Sequence, residues 1–240
     1  MPTRVLACGG CPSCRSTTNF AAFSSVSAVV AKREPVILLG LALILLALSR
    51  IHPRDPSTWV LEVFPIFVAV PLLLATAARF PLTPLVYRLI FVHACILMLG
   101  GHYTYAEVPL GFWVRDWLGL ARNHYDRLGH FAQGFVPAIV AREVLLRRSP
   151  LVRGRWLFFL VVCVCLSVSA MYEFVEWWAA VWGGSAADAF LGTQGDVWDT
   201  QWDMFLAFSG SIVAQVTLAR RHDRELQRLS GSPPVDARDR

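Results

Sequence analysis

The stretch Gly192-Thr-Gln-Gly-Asp-Val-Trp-Asp-Thr-Gln-Trp-Asp-Met204 places three carboxylates where a loop enters an apolar segment. Asp196, Asp199 and Asp203 follow one another at spacings of three and four residues. If the stretch is helical, Asp199 and Asp203 share one face and Asp196 lies at or just before the first turn. No Lys or Arg lies within the stretch or in the apolar segments on either side of it. Other parts of the chain must therefore balance these charges.

The composition is that of a multi-pass membrane protein. The chain has 240 residues, of which 55% are hydrophobic and 16% charged, whereas soluble domains carry about 25% charged residues. The mean hydropathy is +0.50. Short breaks that carry Arg and Pro separate six apolar segments, at about 35–49, 59–78, 85–101, 124–146, 156–181 and 200–219. We therefore expect an all-α membrane protein, a bundle of about six transmembrane helices.

The two ends of the chain differ from its apolar middle. Residues 1–34 form a polar tail, and residues 221–240 form a charged tail that becomes rich in Ser and Pro. We expect both tails to be disordered, on either side of a six-span domain at 35–220. The first tail contains Cys8, Cys11 and Cys14, a spacing that can hold a metal, but no fourth Cys or His precedes His52. We interpret the three cysteines as reduced thiols of a disordered tail.

The basic residues indicate the orientation of the bundle. Of the 22 Lys and Arg residues, 17 lie in alternate breaks, a set that includes both tails, and 5 lie in the remaining breaks. Because cytoplasmic loops carry the excess of Lys and Arg, both termini are expected in the cytoplasm. The third and fifth segments then end, and the fourth and sixth begin, at the opposite face of the membrane.

Several segments bring polar side chains to that face. The fourth segment begins with Asp126, His130 and Gln133 on one helical face, and the fifth ends with Glu173 and Glu176. His102, at the end of the third segment, is expected at the same level. In chain order the candidate residues are His102, Asp126, Arg127, His130, Gln133, Glu173, Glu176, Asp196, Asp199 and Asp203.

In this set the carboxylates outnumber the cations. The set contains six carboxylates, and the nearby cations are only Arg127 and Arg122. Like charges that lie close together must be neutralised by protonation, by a cation or by distance, and ionisable groups within spans are costly enough to indicate function. There are also ordinary interpretations. A single His is more often an interfacial hydrogen-bonding group than a ligand, and Glu173 and Glu176 can simply pair with the two arginines.

We interpret the set as a polar site that can hold a divalent metal. The candidate metal ligands are Glu173, Glu176, Asp196, Asp199 and Asp203, and the candidate catalytic residues are Asp126, Arg127, His130, Glu173 and Glu176. An all-oxygen set suits magnesium, calcium or manganese, and an added imidazole widens the choice to manganese, iron or zinc. His102 and Gln133 are further polar members of the site.

At these residues the chain resembles a known family. The Asp126-Arg-x-x-His130-Phe131 start, the Tyr172-Glu-x-x-Glu176-Trp177 end and the stretch quoted first are similar to the YjdF-like family of bacterial inner-membrane proteins, over roughly residues 35–220. The stretch from Gly101 to Pro109 is similar as well. The resemblance implies a six-span protein of the bacterial inner membrane and assigns no reaction. A fainter likeness is to VanZ-like envelope proteins, which combine an Asp-Lys/Arg-x-x-His-Phe helix start with later acidic positions.

Two function classes remain open. In one, the site is a metal-assisted hydrolase or transferase that acts on a lipid head group or an envelope precursor. In the other, it binds or conducts a cation or proton, and a third interpretation is a structural or accessory protein. Because the polar residues concentrate at one end of the segments, the sequence favours a site over a channel. The expected partner is the lipid bilayer; nucleic acid is not expected, because the basic residues are distributed by loop rather than along one face.

Overall fold

The computed structural model describes residues 33–183, 188–191 and 193–230. Every regular element within these ranges is helical, which confirms the all-α prediction. Cys8, Cys11 and Cys14 lie outside the described residues. The chain divides into two compact units, one that ends at Ile37 and one that begins at Leu38. All of the packing described below lies within the second unit.

Six long helices, two shorter ones and a single 3-10 turn make up the described residues. They are α1 (33–49), α2 (Pro56–Thr76), α3 (Pro84–Tyr103), the 3-10 turn Tyr105–Glu107, α4 (Pro109–Leu118), α5 (Tyr125–Arg148), α6 (Arg155–Gly183), α7 (Asp188–Leu191) and α8 (Asp199–Ser230). Three of the helices begin with proline, whose fixed φ suits the first helical position. At α2 the side chain of Asp55 also accepts a hydrogen bond of 2.6 Å from the backbone N–H of Thr58.

Four of the helices, α2, α3, α6 and α8, are long and apolar enough to cross a membrane. The protein is therefore a multi-pass membrane protein, while the count of six spans and the orientation of the termini stay predictions. α5 has 24 residues, but charged residues near both of its ends, from Asp126 to Arg148, reduce its hydropathy. α5 packs against α3, α6 and α8, so protein rather than lipid surrounds many of its polar side chains.

Small residues bring α5 and α8 into backbone contact. A Cβ atom at Gly134 of α5 would overlap the backbone carbonyl of Ala207, and one at Gly210 of α8 would overlap the backbone carbonyl of Phe131. Close approach of this kind is how membrane helices gain packing energy, since lipid supplies no hydrophobic drive between them. Gly134 lies one turn after His130 and Ala207 one turn after Asp203, so this contact sets the distance between the two polar side chains.

α8 extends well beyond the end that the sequence predicts. The apolar pattern ends near Ala219 and predicts a disordered, charged tail at 221–240, but the helix continues to Ser230. Within this extension His222, Asp223 and Leu226 are buried. The physical reason is a set of partners on α5 and α3 for its polar groups, which a hydropathy pattern does not report.

The connection between α3 and α5 contains the short helix α4. Its Trp113 and Trp117 are highly exposed, at 71% and 84%. Exposed tryptophans next to Arg115 and Asp116 are typical of a segment that lies at the membrane interface. α4 ends at Gly119, which adopts the left-handed conformation (φ 65°) that closes many helices.

Candidate functional site

The starts of α5 and α8 and the end of α6 meet at one end of the bundle. α5 and α8 run in the same direction, since His130 approaches Asp203 near their starts and Arg142 pairs with Asp223 near their ends. α6 runs the opposite way and brings its last turns to the same place. Five ionisable residues gather there, and we call them the acidic cluster: Asp126, His130, Glu173, Glu176 and Asp203.

His130 lies at the centre of the acidic cluster. Its Nε2 atom is 3.4 Å from Oδ1 of Asp126 and 3.8 Å from Oδ2 of Asp203. These separations are too long for strong hydrogen bonds. They are close to the spacing of two ligands around one ion, because ligand atoms about 2.1 Å from a tetrahedral metal lie about 3.4 Å apart.

Two overlapping groups in the cluster have metal-ligand spacing. One consists of Asp126, His130 and Asp203, all three buried, and the other of His130, Glu173 and Glu176. Within each group, one ligand atom from every residue lies within 4.8 Å of the others. His130 belongs to both groups, so the two groups adjoin each other and together offer one imidazole and four carboxylates.

Several buried polar atoms of the cluster have no hydrogen-bond partner among the described residues. They are Oδ2 of Asp126, Nδ1 of His130, Oε1 of Glu173, Oδ1 of Asp203 and, one turn from Glu173, Oγ of Ser169. Buried polar atoms are nearly always paired, and an unpaired one costs about 1–3 kcal/mol. Such a concentration is typical of a ligand-binding site.

Asp196 and Asp199 do not belong to either metal-capable group. Nη2 of Arg127 lies 2.7 Å from Oδ2 of Asp196, and Nη2 of Arg122 lies 2.8 Å from Oδ1 of Asp199. Each of these two candidate ligands is therefore neutralised by an arginine at or just before the start of α5. Among the described residues no arginine pairs with the acidic cluster, so the unbalanced negative charge of the region is concentrated in the cluster.

His124 does not add a cation to this region. Burial lowers the pKa of His124, and the neighbouring Arg127 and Arg122 lower it further. This shift favours the neutral imidazole at neutral pH, so His124 does not offset the negative charge of the acidic cluster.

The loop before α8 is folded against the start of α5. The side chain of Gln194 accepts a hydrogen bond of 3.3 Å from the backbone N–H of Asn123 and donates one of 2.8 Å to the carbonyl of the same residue. The carbonyl of Thr193 accepts a hydrogen bond from Arg122. Gly195 follows with a positive φ of 82°, which favours glycine. Each of these polar positions thus has a structural partner.

His102 lies apart from the acidic cluster. Its Nδ1 atom is 2.9 Å from the carbonyl oxygen of Ser49, and its own carbonyl accepts a hydrogen bond from the backbone N–H of Arg54. His102 therefore ties the end of α3 to the connection between α1 and α2, and the structure gives it a structural contact rather than a place in the cluster.

A cavity of about 540 Å³ lies beside the acidic cluster, between α2, α3, α5 and α6. Asp126, His130 and Glu176 line it, and Gln133 continues the same wall one turn further along α5. Glu173 and Asp203 are buried and do not line the cavity. The cavity therefore gives a ligand access to part of the acidic cluster.

Sequence reasoning missed four polar residues of the cavity wall: Glu62, His93, Tyr105 and Tyr172. Glu62 had a usable signal, because a lone carboxylate within an apolar segment is rarely there without a function. The structure shows it buried, at 5% exposure. His93 and the two tyrosines are ordinary in sequence, and only the packing of α3, the 3-10 turn and α6 brings them to the cavity.

A second buried polar network lies at the other end of the bundle, and the sequence did not reveal it. Glu143 of α5 accepts hydrogen bonds from the hydroxyl of Thr83 at 2.7 Å and from Arg147 at 2.6 Å, and lies 2.9 Å from Nε2 of His222. Arg142 pairs with Asp223 at 2.8 Å. In contrast to the acidic cluster, the carboxylates here have cationic partners, so this network fastens the extension of α8 to α5 and α3.

Comparisons with known proteins agree with this architecture. Residues 34–224 match the family described as "Predicted membrane protein (DUF2238)". The chain is 58% identical over 200 residues to "Inner membrane protein YjdF" of Escherichia coli (strain K12), an alignment that covers 82% of this chain and 95% of the relative. The expected likeness to VanZ-like proteins is not shown. No solved structure matches the chain. The chain is therefore an inner-membrane protein that belongs to the DUF2238 family.

Proposed function

We propose that the protein is a metal-assisted hydrolase or transferase that acts on a lipid head group at the membrane surface. The observation that carries this proposal is the group Asp126–His130–Asp203, in which three buried side chains have metal-ligand spacing and each has a polar atom without a partner among the described residues. Glu173 completes the proposed coordination sphere, while Glu176, which lines the cavity, is left to accept a proton. Neither a nucleophile motif nor a nucleotide-binding loop is present in the sequence to suggest other chemistry.

The donor atoms indicate which metals would bind. A set of carboxylates with one imidazole suits manganese, iron or zinc better than calcium, which prefers oxygen alone. Binding would also stabilise the fold, because an ion between Asp126 and Asp203 removes the repulsion between their carboxylates.

The proposed chemistry uses water as the nucleophile or, in a transferase, an acceptor hydroxyl. A metal ion held by these residues would supply a bound water or hydroxyl of lowered pKa, and Glu176, on the cavity wall, would accept its proton. The oxygen would then attack the electrophilic atom of the head group, and the bond to the leaving oxygen would break. The leaving oxygen would take a proton from the protonated Glu176 or, were His130 not a ligand, from its imidazolium. Arg127 pairs with Asp196, so a role in binding substrate oxygen would require that pair to open.

The proposed topology places this reaction outside the cytoplasm. With six spans and both termini cytoplasmic, the starts of α5 and α8 face the outer leaflet of the inner membrane. The substrate would then be a lipid or an envelope precursor of that leaflet.

The alternative of cation or proton transport receives less support. A path through the bundle needs polar groups along its length, but beyond Gln133 the cavity residues of α5 are Val136, Pro137, Val140, Ala141, Val144 and Leu145. On α8 the buried Ser211 and Gln215 hydrogen-bond to backbone carbonyls. A purely structural role for the cluster leaves its unpaired buried atoms unexplained.

Metal content of the purified protein tests the proposal. After growth with manganese, iron and zinc and purification in mild detergent, elemental analysis should give about one tightly held ion per chain, lost in Asp203→Asn and Asp126→Asn. Asp199→Asn should keep the ion, because Arg122 already holds that carboxylate. Asp116→Asn, at an exposed position on α4, is the matched control. A wild-type protein that holds none of the three metals, even after reloading, overturns the proposal.

A further inference from the structure

The cavity beside the acidic cluster is elongated along α5. Its wall there extends from Asp126 to Leu145, a distance of roughly 28 Å at about 1.5 Å per residue. This length approaches the ~30 Å thickness of the hydrocarbon core of a bilayer. The volume of about 540 Å³ lies within the roughly 300–1,000 Å³ range of small-ligand pockets. A single hydrocarbon chain laid along α5 would occupy this length.

The lining of the cavity changes from polar to apolar along this length. At the end near the acidic cluster the wall carries Glu62 from α2, Asp126 from α5 and Glu176 from α6. At the other end the same three helices contribute Leu72, Val144 and Val164. Although α6 runs opposite to α2 and α5, all three helices have their polar cavity residues near the acidic cluster and their aliphatic cavity residues at the other end.

The transition between the two halves occurs at one level. On α5 the last polar residue of the wall is Gln133, eight residues from the start of the helix at Tyr125. On α3, which runs the opposite way, it is His93, ten residues before the end at Tyr103. Both positions are therefore roughly 12–15 Å from the site end of their helices. Beyond them the cavity wall is aliphatic.

The apolar half opens sideways towards the lipid. Leu72 of α2 and Val168 of α6 line the cavity and are still 60% and 44% exposed. α2 packs on α3 and α6 packs on α5, while α2 and α6 face each other across the cavity and meet at the hydrogen bond from the Tyr172 hydroxyl to the carbonyl of Leu61. A hydrocarbon chain can therefore enter between α2 and α6 without leaving the bilayer.

The charge of the polar half determines the kind of head group that it suits. Among the described residues that line the cavity there are three carboxylates and no Lys or Arg, and the nearby Arg122 and Arg127 are paired with Asp199 and Asp196. Glu173 and Asp203, which lie close to His130 in the acidic cluster, bring the carboxylates of this region to five, and a divalent ion balances only two of them. Tyr105 and Tyr172 add aromatic rings, which attract cations.

We propose that the cavity binds a single-chain amphiphile with an amine-bearing head group, its chain in the aliphatic half and its ammonium group against Glu62, Asp126 and Glu176. This proposal rests on the proposed function in so far as it names the substrate class of the same site. The chain of the substrate fixes the position of the head group, and the carboxylates select a cationic head group over an anionic one.

Photolabelling of the full-length protein in detergent tests the proposal. The probe is dodecylamine with a diazirine at the end of its chain, and the labelled peptides are identified by mass spectrometry. Label is expected on the aliphatic half of the cavity, at Val140, Val144 and Val164. Unlabelled dodecylamine should compete for this site about tenfold better than dodecyl phosphate or dodecanol, a difference of about 1.4 kcal/mol.

Two variants distinguish labelling in the cavity from labelling at the lipid-facing surface. Val140→Trp fills the aliphatic half and should reduce this labelling about tenfold, while Val216→Trp, at a 72% exposed position on α8, should leave it unchanged. If Val140→Trp does not fold, the competition with the wild-type protein still decides the result. Label spread over exposed positions such as Val216, or equal competition by dodecyl phosphate, overturns the proposal.

The metal analysis keeps this proposal distinct from the proposed function. A metal-free protein that is labelled in the cavity, with preference for the amine, overturns the metal-assisted chemistry and supports the amphiphile site. A protein that holds one ion but is not labelled in the cavity supports the metal site and overturns the amphiphile proposal.

Discussion

Nη2 of Arg127, in the first turn of α5, lies 2.7 Å from Oδ2 of Asp196, in the loop before α8. The guanidinium also lies over the ring of Trp202, 5.1 Å from its centroid. Arg122 forms a neighbouring ion pair with Asp199. Two of the carboxylates that the sequence assigns to the site are therefore neutralised by arginines and hold the loop against α5, while the carboxylates of the acidic cluster have no such ion pair among the described residues.

A double-mutant cycle on Arg127 and Asp196 should show that their ion pair contributes to the free energy of unfolding. Both side chains are 22% exposed, so we expect a coupling free energy of about 1–2 kcal/mol between Arg127→Ala and Asp196→Ala. The measurement is unfolding in mixed micelles. Arg115→Ala with Asp116→Ala, an exposed pair on α4, should give a coupling below about 0.5 kcal/mol. Equal coupling in the two pairs would contradict the role given to Arg127.

The contact between Gly134 and Ala207 should tolerate no larger side chain. Gly134→Leu places a side chain against the backbone of α8, so we expect the two helices to separate and the yield of folded protein to fall severalfold. Because His130 and Asp203 are one turn away, a folded remainder should bind metal more weakly. Gly40→Leu is the matched control, since a Cβ there meets nothing within 4 Å. Gel filtration and metal content check both effects.

The sequence predicts much of the fold because membrane helices follow from hydropathy and length. It places the helices of the six apolar segments, and the alternation of their directions brings the starts of α5 and α8 to one end. It does not show that Arg122 and Arg127 pair with Asp199 and Asp196, because partners about 70 residues apart have no local pattern.

The hydropathy pattern does not predict the extension of α8 beyond Ala219, for a related reason. Residues 220–230 look like a charged tail in a hydropathy profile, but His222 and Asp223 are buried against Glu143 and Arg142. The stability of this segment comes from tertiary partners, and a periodicity of apolar residues does not report them. Glu62 and His93 were overlooked as site residues in the same way, because the cavity that they line exists only between packed helices.

Glu143 should be among the least replaceable residues of the protein. It is fully buried and bonded to Thr83, Arg147 and His222, so Glu143→Ala leaves buried cationic and polar groups unpaired. We expect a loss of about 3–5 kcal/mol in the free energy of unfolding. Arg224→Ala, at an exposed position of the same extension, should change it by less than about 0.5 kcal/mol. The measurement is unfolding in mixed micelles, and a loss in Glu143→Ala as small as that in Arg224→Ala would show that the network is dispensable.

The proposed function places the acidic cluster at the outer leaflet of the inner membrane, and reporter fusions test this orientation. Because 17 of the 22 basic residues lie in one alternate set of breaks, a reporter fused after Arg240 should be active in the cytoplasm and one inserted near Ser185 active outside it. A full-length fusion is used because α8 continues to Ser230. α5 and α8 start at the same end whatever the orientation, so a reversed result leaves the acidic cluster intact. It would, however, move the site to the cytoplasmic leaflet and exclude envelope precursors of the outer leaflet as substrates.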